Sequence, residues 1–178
     1  LLGVNCLRND AHSAMGIAAV AGADFIRVNV HTGAYLTDQG VIEGEAYETL
    51  RYRTSLDASE RVSIWADVLV KHATPLAPTD PVTATKDCLL RGLASAVIVT
   101  GTGTGEPIST ALLETVRDAA GGRPVVLGSG VTPERAPELW PLADVAIVGT
   151  YFKENGDVRA PVERARVERL CEALRMNP

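Results

Sequence analysis

The stretch of sequence that decides the fold is residues 128–153, GSGVTPERAPELWPLADVAIVGTYFK. The apolar run at 125–127 leads into Gly128-Ser129-Gly130, and a second apolar run at 145–148 leads into Gly149-Thr150. Short apolar runs that end in glycines are typical of buried parallel strands. Backbone N–H groups stay accessible at such turns because glycine has no Cβ to cover them. The pair of turns predicts a phosphate site at these five residues, and the alternative is that the glycines only make tight turns.

Outward from this stretch, apolar runs alternate with helical patterns along the whole chain. We predict strands at 1–5, 25–30, 62–70, 96–100, 125–127 and 145–148. We predict helices at 10–21, 43–56, 80–92, 109–119 and 162–176, with a short helix opened by Thr132-Pro133 between the last two strands. Strict alternation of this kind predicts the α/β class, with a parallel sheet covered by helices.

Two architectures fit this alternation. One is a (β/α)8 barrel, which usually has about 250 residues, so that the chain would hold its last six units. The other is a six-stranded doubly wound sheet, which should carry a glycine fingerprint after its first strand. Residues 5–10 read NCLRND instead. The barrel is favoured, because the glycine turns fall where its last two units commonly bind phosphate.

The start of the chain, Leu1-Leu2-Gly3, lies within a predicted strand. We therefore expect a fragment from which the first two βα units are absent. Six units of a barrel would leave two strand edges unpaired. We expect the rest of the barrel or a partner chain to cover them, and we predict a homo-oligomer.

Composition limits the class of protein. The 178 residues are 46% hydrophobic and 22% charged, as expected for one globular domain. The net charge of −5 and the lack of a basic run argue against nucleic acid as a partner. No apolar run has the length of a transmembrane segment, and no signal peptide is visible. Cys6, Cys88 and Cys171 are widely spaced, which predicts buried reduced thiols and a cytoplasmic protein.

Alternation on two strands places charged residues inside the predicted barrel. Arg27 and Asn29 alternate with apolar residues on one strand, and Asp67 and Lys71 do so on the next. Inward charges are costly to bury unless they pair or meet a ligand. One interpretation is an internal Arg27–Asp67 ion pair that only fixes the barrel. The other is that Asp67 is a general acid–base or binds a ribose-like pair of hydroxyls, with Asn29 and Asn5 orienting the substrate.

Two roles are open for Lys71, a second anion contact or a Schiff-base lysine. A Schiff base needs a desolvated lysine with a lowered pKa, which the sequence does not show. Asp67, His72 and His31 are a further combination that could bind a metal, but they lack a regular ligand spacing. We predict no metal and no cofactor.

Polar residues at the remaining strand ends and in the loops complete the predicted site. Besides Asn5, the residues predicted to bind substrate are Arg8, Asn9, Arg27, His72 and Thr100. The glycine-rich run GTGTGEP at 101–107 lacks the Lys-Ser/Thr pair of a Walker sequence and is interpreted as a loop over the site or as a third set of N–H donors. The long loop at 32–41 is interpreted as a lid with contacts from Tyr35, Asp38 and Gln39, or as a subunit contact.

Several of these motifs together resemble the BtpA/SgcQ family over nearly the whole chain. They are GVNCLRNDA at 3–11, AGADFIRVNVHTGAYLTDQGVIEGEA at 21–46, ADVLVKHA at 66–73, GTGTGEP at 101–107, and LGSGVTPE with ADVAIVGTYFK within 127–153. The resemblance implies a TIM barrel of the ribulose-phosphate-binding type. It also implies a phosphate site on the two glycine turns and an active site over Asn5, Asn29 and Asp67.

Three functional hypotheses follow. The first is an enzyme that acts on a phosphorylated sugar or nucleoside-type molecule, either as a nucleosidase-like glycosidic hydrolase or as a phosphosugar lyase or isomerase. Asp67, Lys71 and Asn29 are its predicted catalytic residues. The second comes from the family name and is a non-catalytic factor for biogenesis of a membrane complex such as photosystem I. The third is a sensor that binds phosphosugars without turnover.

Overall fold

The computed structural model describes residues 1–101 and 107–176 of the chain. In these residues the strands are β1 (Gly3–Val4), β2 (Phe25–Val28), β3 (Ala34–Thr37), β4 (Gly40–Glu43), β5 (Ser63–Val68), β6 (Ala73–Pro75), β7 (Ala96–Val99), β8 (Val125–Leu127) and β9 (Val145–Ala146). The helices are α1 (Ala11–Ala21), α2 (Ala46–Ser55), α3 (Pro81–Lys86), α4 (Thr110–Ala120), α5 (Ala136–Leu139) and α6 (Arg164–Arg175). A single π-helical turn, Asp87–Arg91, continues α3.

Six strands form one parallel sheet in the order β1-β2-β5-β7-β8-β9, which is also their order along the chain. A doubly wound sheet would reverse its strand order at a switch point, and this sheet does not. The doubly wound alternative is therefore wrong. In a (β/α)8 barrel, each strand pairs with the strand of the preceding βα unit. The strand order of this sheet therefore matches a segment of a barrel wall.

Side chains alternate between the two faces of this sheet. The face toward the helices carries the main core, which includes Ile26, Val28, Ile64, Ala66, Val97, Val99, Val125 and Leu127. The opposite, concave face carries a smaller apolar cluster formed by Ala96, Ile98 and Val126 with Trp65, Val145 and Ile147 packed on it. Phe25 and Trp65 stack at the lower part of this face, with ring centroids 3.7 Å apart. Both faces are apolar along most of their length, and the charged side chains of this sheet, Arg27 and Asp67, lie toward the C-terminal ends of their strands.

The predicted helix ends are largely confirmed. Asp10 caps α1 by accepting a hydrogen bond from the Ser13 amide, and Gly22 ends that helix in the left-handed conformation. Asp80 caps α3, which begins at Pro81. The helix predicted at 80–92 is α-helical only to Lys86, after which the π-helical turn leads to Gly92.

The loop predicted at 32–41 is instead part of a second, antiparallel sheet. β3 pairs with β4 in a hairpin, and its other edge pairs with β6. β6 lies outside every strand predicted from the sequence. Tyr35, predicted as a lid contact, is buried beneath this sheet with Val30 and Val70. The lid interpretation was wrong for Tyr35. This residue pairs with Pro75, far along the chain, and the pairing fixes the segment as a strand of the sheet.

Two smaller expectations also fail. The strand predicted at 62–70 ends at Val68, because Leu69 has φ of 50° and breaks the alternation. Of the three cysteines, all free, only Cys88 is buried, while Cys6 and Cys171 are partly exposed. Among the described residues, no helix combines the length and apolar character needed to cross a membrane.

A close backbone approach holds the hairpin against the main sheet. The Gly44 amide donates to the Gly33 carbonyl at 2.7 Å, and a Cβ on Gly44 would lie 2.6 Å from the backbone atoms of His31 and Thr32. Gly44→Ala should therefore lower the free energy of unfolding by roughly 1–3 kcal/mol in urea denaturation, because backbone atoms cannot move aside cheaply.

Gly149→Ala is the matched control, because φ at Gly149 is −117° and a Cβ added there would meet no atom within 4 Å beyond the adjacent residues. The control should unfold at the wild-type urea concentration. A Gly44→Ala protein as stable as the control would show that the hairpin does not need this close approach.

Candidate functional site

Two adjoining cavities open at the C-terminal ends of the parallel strands. The first, which we call the glycine-turn cavity, has a volume of about 400 Å³ and contains all five residues of the predicted phosphate site. The second, the asparagine cavity, has a volume of about 590 Å³ and is lined by Asn5 and Asn29 among others. Arg27 and Lys71 line both. The predicted phosphate residues and most predicted substrate residues therefore lie around one continuous region.

The glycine-turn cavity presents backbone N–H groups beyond the last sheet hydrogen bonds. The Gly128 amide donates to the Val99 carbonyl at 2.8 Å, and the Ile147 amide donates to the Leu127 carbonyl at 2.8 Å. Past these points, the amides of Gly130, Gly149 and Thr150 donate to no acceptor within the described residues. Such amides are suitable donors to an anion.

The interpretation that the glycines only make tight turns does not explain the glycine at position 149. Its φ is negative, and a Cβ at this position would meet nothing within 4 Å. Neither backbone conformation nor packing within the described residues therefore requires glycine here. A ligand that approaches the backbone closely would require it. Gly128 differs, because its Cβ would lie 2.7 Å from Ile98 and 2.8 Å from Thr100.

The charged side chains that line the glycine-turn cavity are all cations. They are Arg27, Lys71 and Arg166, and no described residue of the lining carries a carboxylate. Arg166 lies in the first turn of α6. Its Nε donates to the Tyr151 carbonyl at 2.5 Å, and its guanidinium lies 4.6 Å from the centre of the Tyr151 ring. A Glu163 oxygen lies 4.0 Å from the same Nε at a partly exposed edge. The lining of this cavity is thus locally positive, although the chain as a whole carries a net negative charge.

An ion pair inside the sheet holds the cation that the two cavities share. Arg27 binds Asp67 with two parallel hydrogen bonds, Nε to Oδ1 at 2.9 Å and Nη2 to Oδ2 at 2.8 Å. The Asn29 amide donates to Oδ2 of Asp67 at 3.0 Å. The Asn5 amide donates to the Arg27 carbonyl at 2.9 Å and reaches Oδ1 of Asn29 at 3.4 Å. The predicted Arg27–Asp67 pair is present and belongs to a larger polar network.

Burial determines what the Asp67 carboxylate can contact. Its side chain is 0% exposed, compared with 15% for Arg27, and it lines neither cavity. Burial raises the pKa of Asp67, while the hydrogen bonds and the charge of Arg27 lower it. In this structure Asp67 faces the cavities only through Arg27 and Asn29. Its predicted acid–base role stays a prediction.

Lys71 follows the end of β5 and has no ion pair or hydrogen bond within the described residues. Its side chain is half-buried between the two cavities. Burial lowers the pKa of Lys71, the positive charge of Arg27 lowers it further, and the negative charge of Asp67 opposes both effects.

The sequence of the chain is similar to that of a known protein family and of several individual proteins. The model of the BtpA family matches residues 1–176. The chain belongs to the BtpA family. It is 47% identical over 173 residues to the photosystem I biogenesis protein BtpA of Synechocystis, which covers 97% of this chain and 60% of that protein. It is 44% identical over 171 residues to an uncharacterized protein of Thermococcus kodakarensis, with 96% of this chain and 64% of that protein covered.

The SgcQ protein of the sgc region of Escherichia coli is also similar, at 30% identity over 172 residues. This match covers 97% of the chain and 63% of SgcQ. The BtpA-family chain thus spans about three-fifths of the length of these relatives.

Solved structures with similar folds are enzymes of the barrel type. Phosphoribosyl anthranilate isomerase from Thermococcus kodakaraensis superposes with a TM-score of 0.57 at 17% identity, covering 97% of this chain and 73% of that one. Orotidine 5′-phosphate decarboxylase from Pyrococcus horikoshii gives a TM-score of 0.59 at 18% identity with the same coverage. At these identities the likeness establishes the fold alone, and it confirms the barrel prediction.

The structure places the other predicted substrate residues of this BtpA-family chain differently. Arg8 and His72 line the asparagine cavity, and Arg8 also forms an ion pair with Asp38 at the hairpin tip. Asn9 lines neither of the two cavities, because its amide group bonds both the N–H and the carbonyl of Val30. Thr100 is buried behind the cavities, where its Cγ2 faces Gly128.

Two further predictions concern loops and metals. Residues 102–106 of the GTGTGEP run lie outside the described residues, so its role stays a prediction. Of the lid residues, Gln39 lines the asparagine cavity. Within the described part of the chain, no three His, Cys, Asp or Glu side chains lie close enough to hold a metal ion. His31 is buried, with its Nε2 2.8 Å from the Gly92 carbonyl oxygen.

Arg166 and Tyr151 are the site residues that sequence reasoning missed. Both follow the second glycine turn, but Arg166 lies in a helix whose pattern is mainly amphipathic and exposed. A usable signal was present: in a barrel, the helix after the last strand begins beside the loops of the last two units. A cation in its first turn is therefore a candidate anion contact.

Asp67→Asn should destabilise the protein by about 3 kcal/mol in urea denaturation, because it leaves the largely buried Arg27 charge facing a neutral partner. Glu168→Gln is the control, since Glu168 pairs with the 90% exposed Arg164, and it should cost less than about 0.5 kcal/mol. Equal stability of the two variants would show that the buried pair contributes no more to the fold than a surface pair.

Proposed function

We propose that this BtpA-family chain binds a phosphorylated small molecule, of sugar or nucleoside type, and acts on it as an enzyme. The observation that carries the proposal is the glycine-turn cavity, which combines unpaired backbone amides, three cations and no carboxylate in its described lining. In this assignment the phosphate binds the amides of Gly130, Gly149 and Thr150, with Ser129 beside them. Arg166 supplies balancing positive charge at the phosphate, and Lys71 lies between this phosphate and the rest of the ligand.

The rest of the ligand would extend past Arg27 into the asparagine cavity. Asn5 and Asn29 line that cavity and have their amides oriented by the Arg27–Asp67 network. They are suited to hydroxyl groups, and Arg8 and His72 offer further contacts. We assign Asp67 mainly to positioning, because it fixes Arg27 and Asn29. The two superposed enzymes are named for phosphorylated ligands, which agrees with this assignment.

A thermal-shift series tests phosphate binding. Inorganic phosphate, ribose 5-phosphate and adenosine monophosphate should raise Tm, whereas ribose and adenosine should raise it less. Binding at a hundredfold excess over Kd adds about 2.7 kcal/mol to stability. Gly149→Val should abolish the shift because its side chain fills the space expected for the ligand, and Gly149→Ala should reduce it less.

Arg166→Met should also weaken the phosphate shift, because it removes a cation from the cavity. Arg164→Met is the matched control, since Arg164 lies in the same helix turn but is 90% exposed and pairs with Glu168. A loss of the shift in both variants would point to general surface charge rather than to the cavity. Unchanged shifts in Gly149→Val and Arg166→Met would place any phosphate elsewhere.

A second candidate function is favoured by the name of the Synechocystis relative, photosystem I biogenesis protein BtpA. A non-catalytic factor for a membrane complex needs a docking surface. Leu36 and Val41 form an exposed cross-strand pair on the hairpin, and Leu76 beyond β6 is also exposed. Absence of any thermal shift, including with phosphate, would move this function ahead of the enzyme. Binding without turnover of any phosphosugar would instead favour a sensor.

A further inference from the structure

Lys71 occupies the junction of the two cavities. It lines both of them together with Arg27, and the backbone on either side is irregular, with φ of 50° at Leu69 and 58° at His72. The chain leaves the parallel sheet at this turn, and the next strand, β6, pairs with β3 instead. An ammonium or amine group here can reach a ligand whose phosphate lies on the glycine turns and whose remainder lies in the asparagine cavity.

The surroundings of Lys71 differ from those of a lysine that only balances charge. The carboxylate that raises its pKa, that of Asp67, is already held by both of the Arg27 hydrogen bonds and by Asn29. Burial and the neighbouring Arg27 lower the pKa of Lys71, and the negative charge of Asp67 opposes this effect. Lysine is activated as a nucleophile by desolvation or by an adjacent cation, and both are present.

The small number of lysines in the chain is an independent observation. The chain contains three lysines against 14 arginines, and the other two cations of the glycine-turn cavity are arginines. Arginine contacts a phosphate well but keeps its proton, whereas lysine can lose one. Lys71 is the one cation of the described lining that has no hydrogen-bond partner. It is thus chemically distinct from Arg27 and Arg166.

We infer that Lys71 is a catalytic nucleophile that forms an imine with the carbonyl carbon of a phosphorylated aldehyde or ketone sugar. The inference rests on the proposed function, because the phosphate on the glycine turns places the carbonyl near Lys71. It also narrows that function: a carbonyl substrate favours phosphosugar lyase or isomerase chemistry over hydrolysis of a glycosidic bond.

The step balances without an oxidant or a reductant. The Lys71 amine attacks the carbonyl carbon, a C–N bond forms, and the carbonyl oxygen takes a proton from the nitrogen to give a carbinolamine. The hydroxyl then takes a second proton and leaves as water, and the nitrogen lone pair forms the C=N bond of a protonated imine. This positive nitrogen accepts electrons when an adjacent C–C or C–H bond breaks. Addition of water reverses the sequence and frees the lysine.

Reductive trapping tests the inference on the unmodified protein. The protein is incubated with ribose 5-phosphate or dihydroxyacetone phosphate, sodium borohydride is added, and the modified lysine is located by peptide mass spectrometry. Hydride adds to the imine carbon and leaves a stable secondary amine. We expect the adduct on Lys71 at least tenfold above that on Lys86 and Lys153, which serve as controls within the same chain. Glycerol 3-phosphate has no carbonyl and should give no adduct.

Two further arms separate the possible failures. Excess inorganic phosphate should suppress the Lys71 adduct by competing for the glycine turns. Lys71→Arg, checked for folding by circular dichroism, should remove the adduct. A phosphate thermal shift without a Lys71 adduct would overturn the imine and leave phosphate binding standing. Equal labelling of all three lysines would also overturn it, and absence of the thermal shift would overturn the proposed function itself.

Discussion

The ion pair between Arg27 and Asp67 is the constraint around which the C-terminal face of the sheet is arranged. A buried pair of this kind costs desolvation that a pair of apolar side chains would avoid, so stability alone does not account for it. Its geometric effect is specific. Two of the Arg27 nitrogens are fixed by the carboxylate, and Nη1 has no hydrogen bond within the described residues. The guanidinium is thereby held at the boundary of both cavities, and Asn29 is held beside it.

The position of this network follows from the register of the sheet. Trp65, Ala96 and Arg27 lie at one level, and Asp67 and Ile98 lie one level nearer to the C-terminal ends. On the neighbouring strands, the apolar side chains of the concave face occupy these same two levels, and β5 ends at Val68, directly after Asp67. The network therefore lies beside a packed apolar interior and directly below the open ends of the strands. A barrel needs such a transition, because its interior must be filled while its upper face binds ligands.

Sequence reasoning was most effective where the pattern is local. Glycines directly after apolar runs placed five residues in one cavity, and alternation identified the inward phase of Arg27 and Asp67. Both signals depend on neighbouring positions and on the fixed period of a strand. The helix start at Asp80 was predictable for the same reason.

The features that sequence reasoning missed depend instead on long-range partners. The hairpin sheet forms because Leu36 pairs with Val41 on one side and with Thr74 on the other, and the second pairing joins segments far apart in the chain. Asn9 leaves the site because the backbone of Val30 binds its side chain. Competition of this kind between a ligand and a backbone group cannot be inferred from residue type.

Net charge was a poor guide to the site, because an acidic chain surrounds a cationic cavity. The three cations differ in how their charge is held. The charge of Arg27 is neutralised by Asp67. The guanidinium of Arg166 contacts an uncharged carbonyl and a ring, and a Glu163 oxygen lies 4.0 Å from its Nε. The charge of Lys71 is weakened by burial and by Arg27. In the proposed function, positioning, anion balance and proton loss are divided among these three side chains. A site that only bound an anion would need no such division.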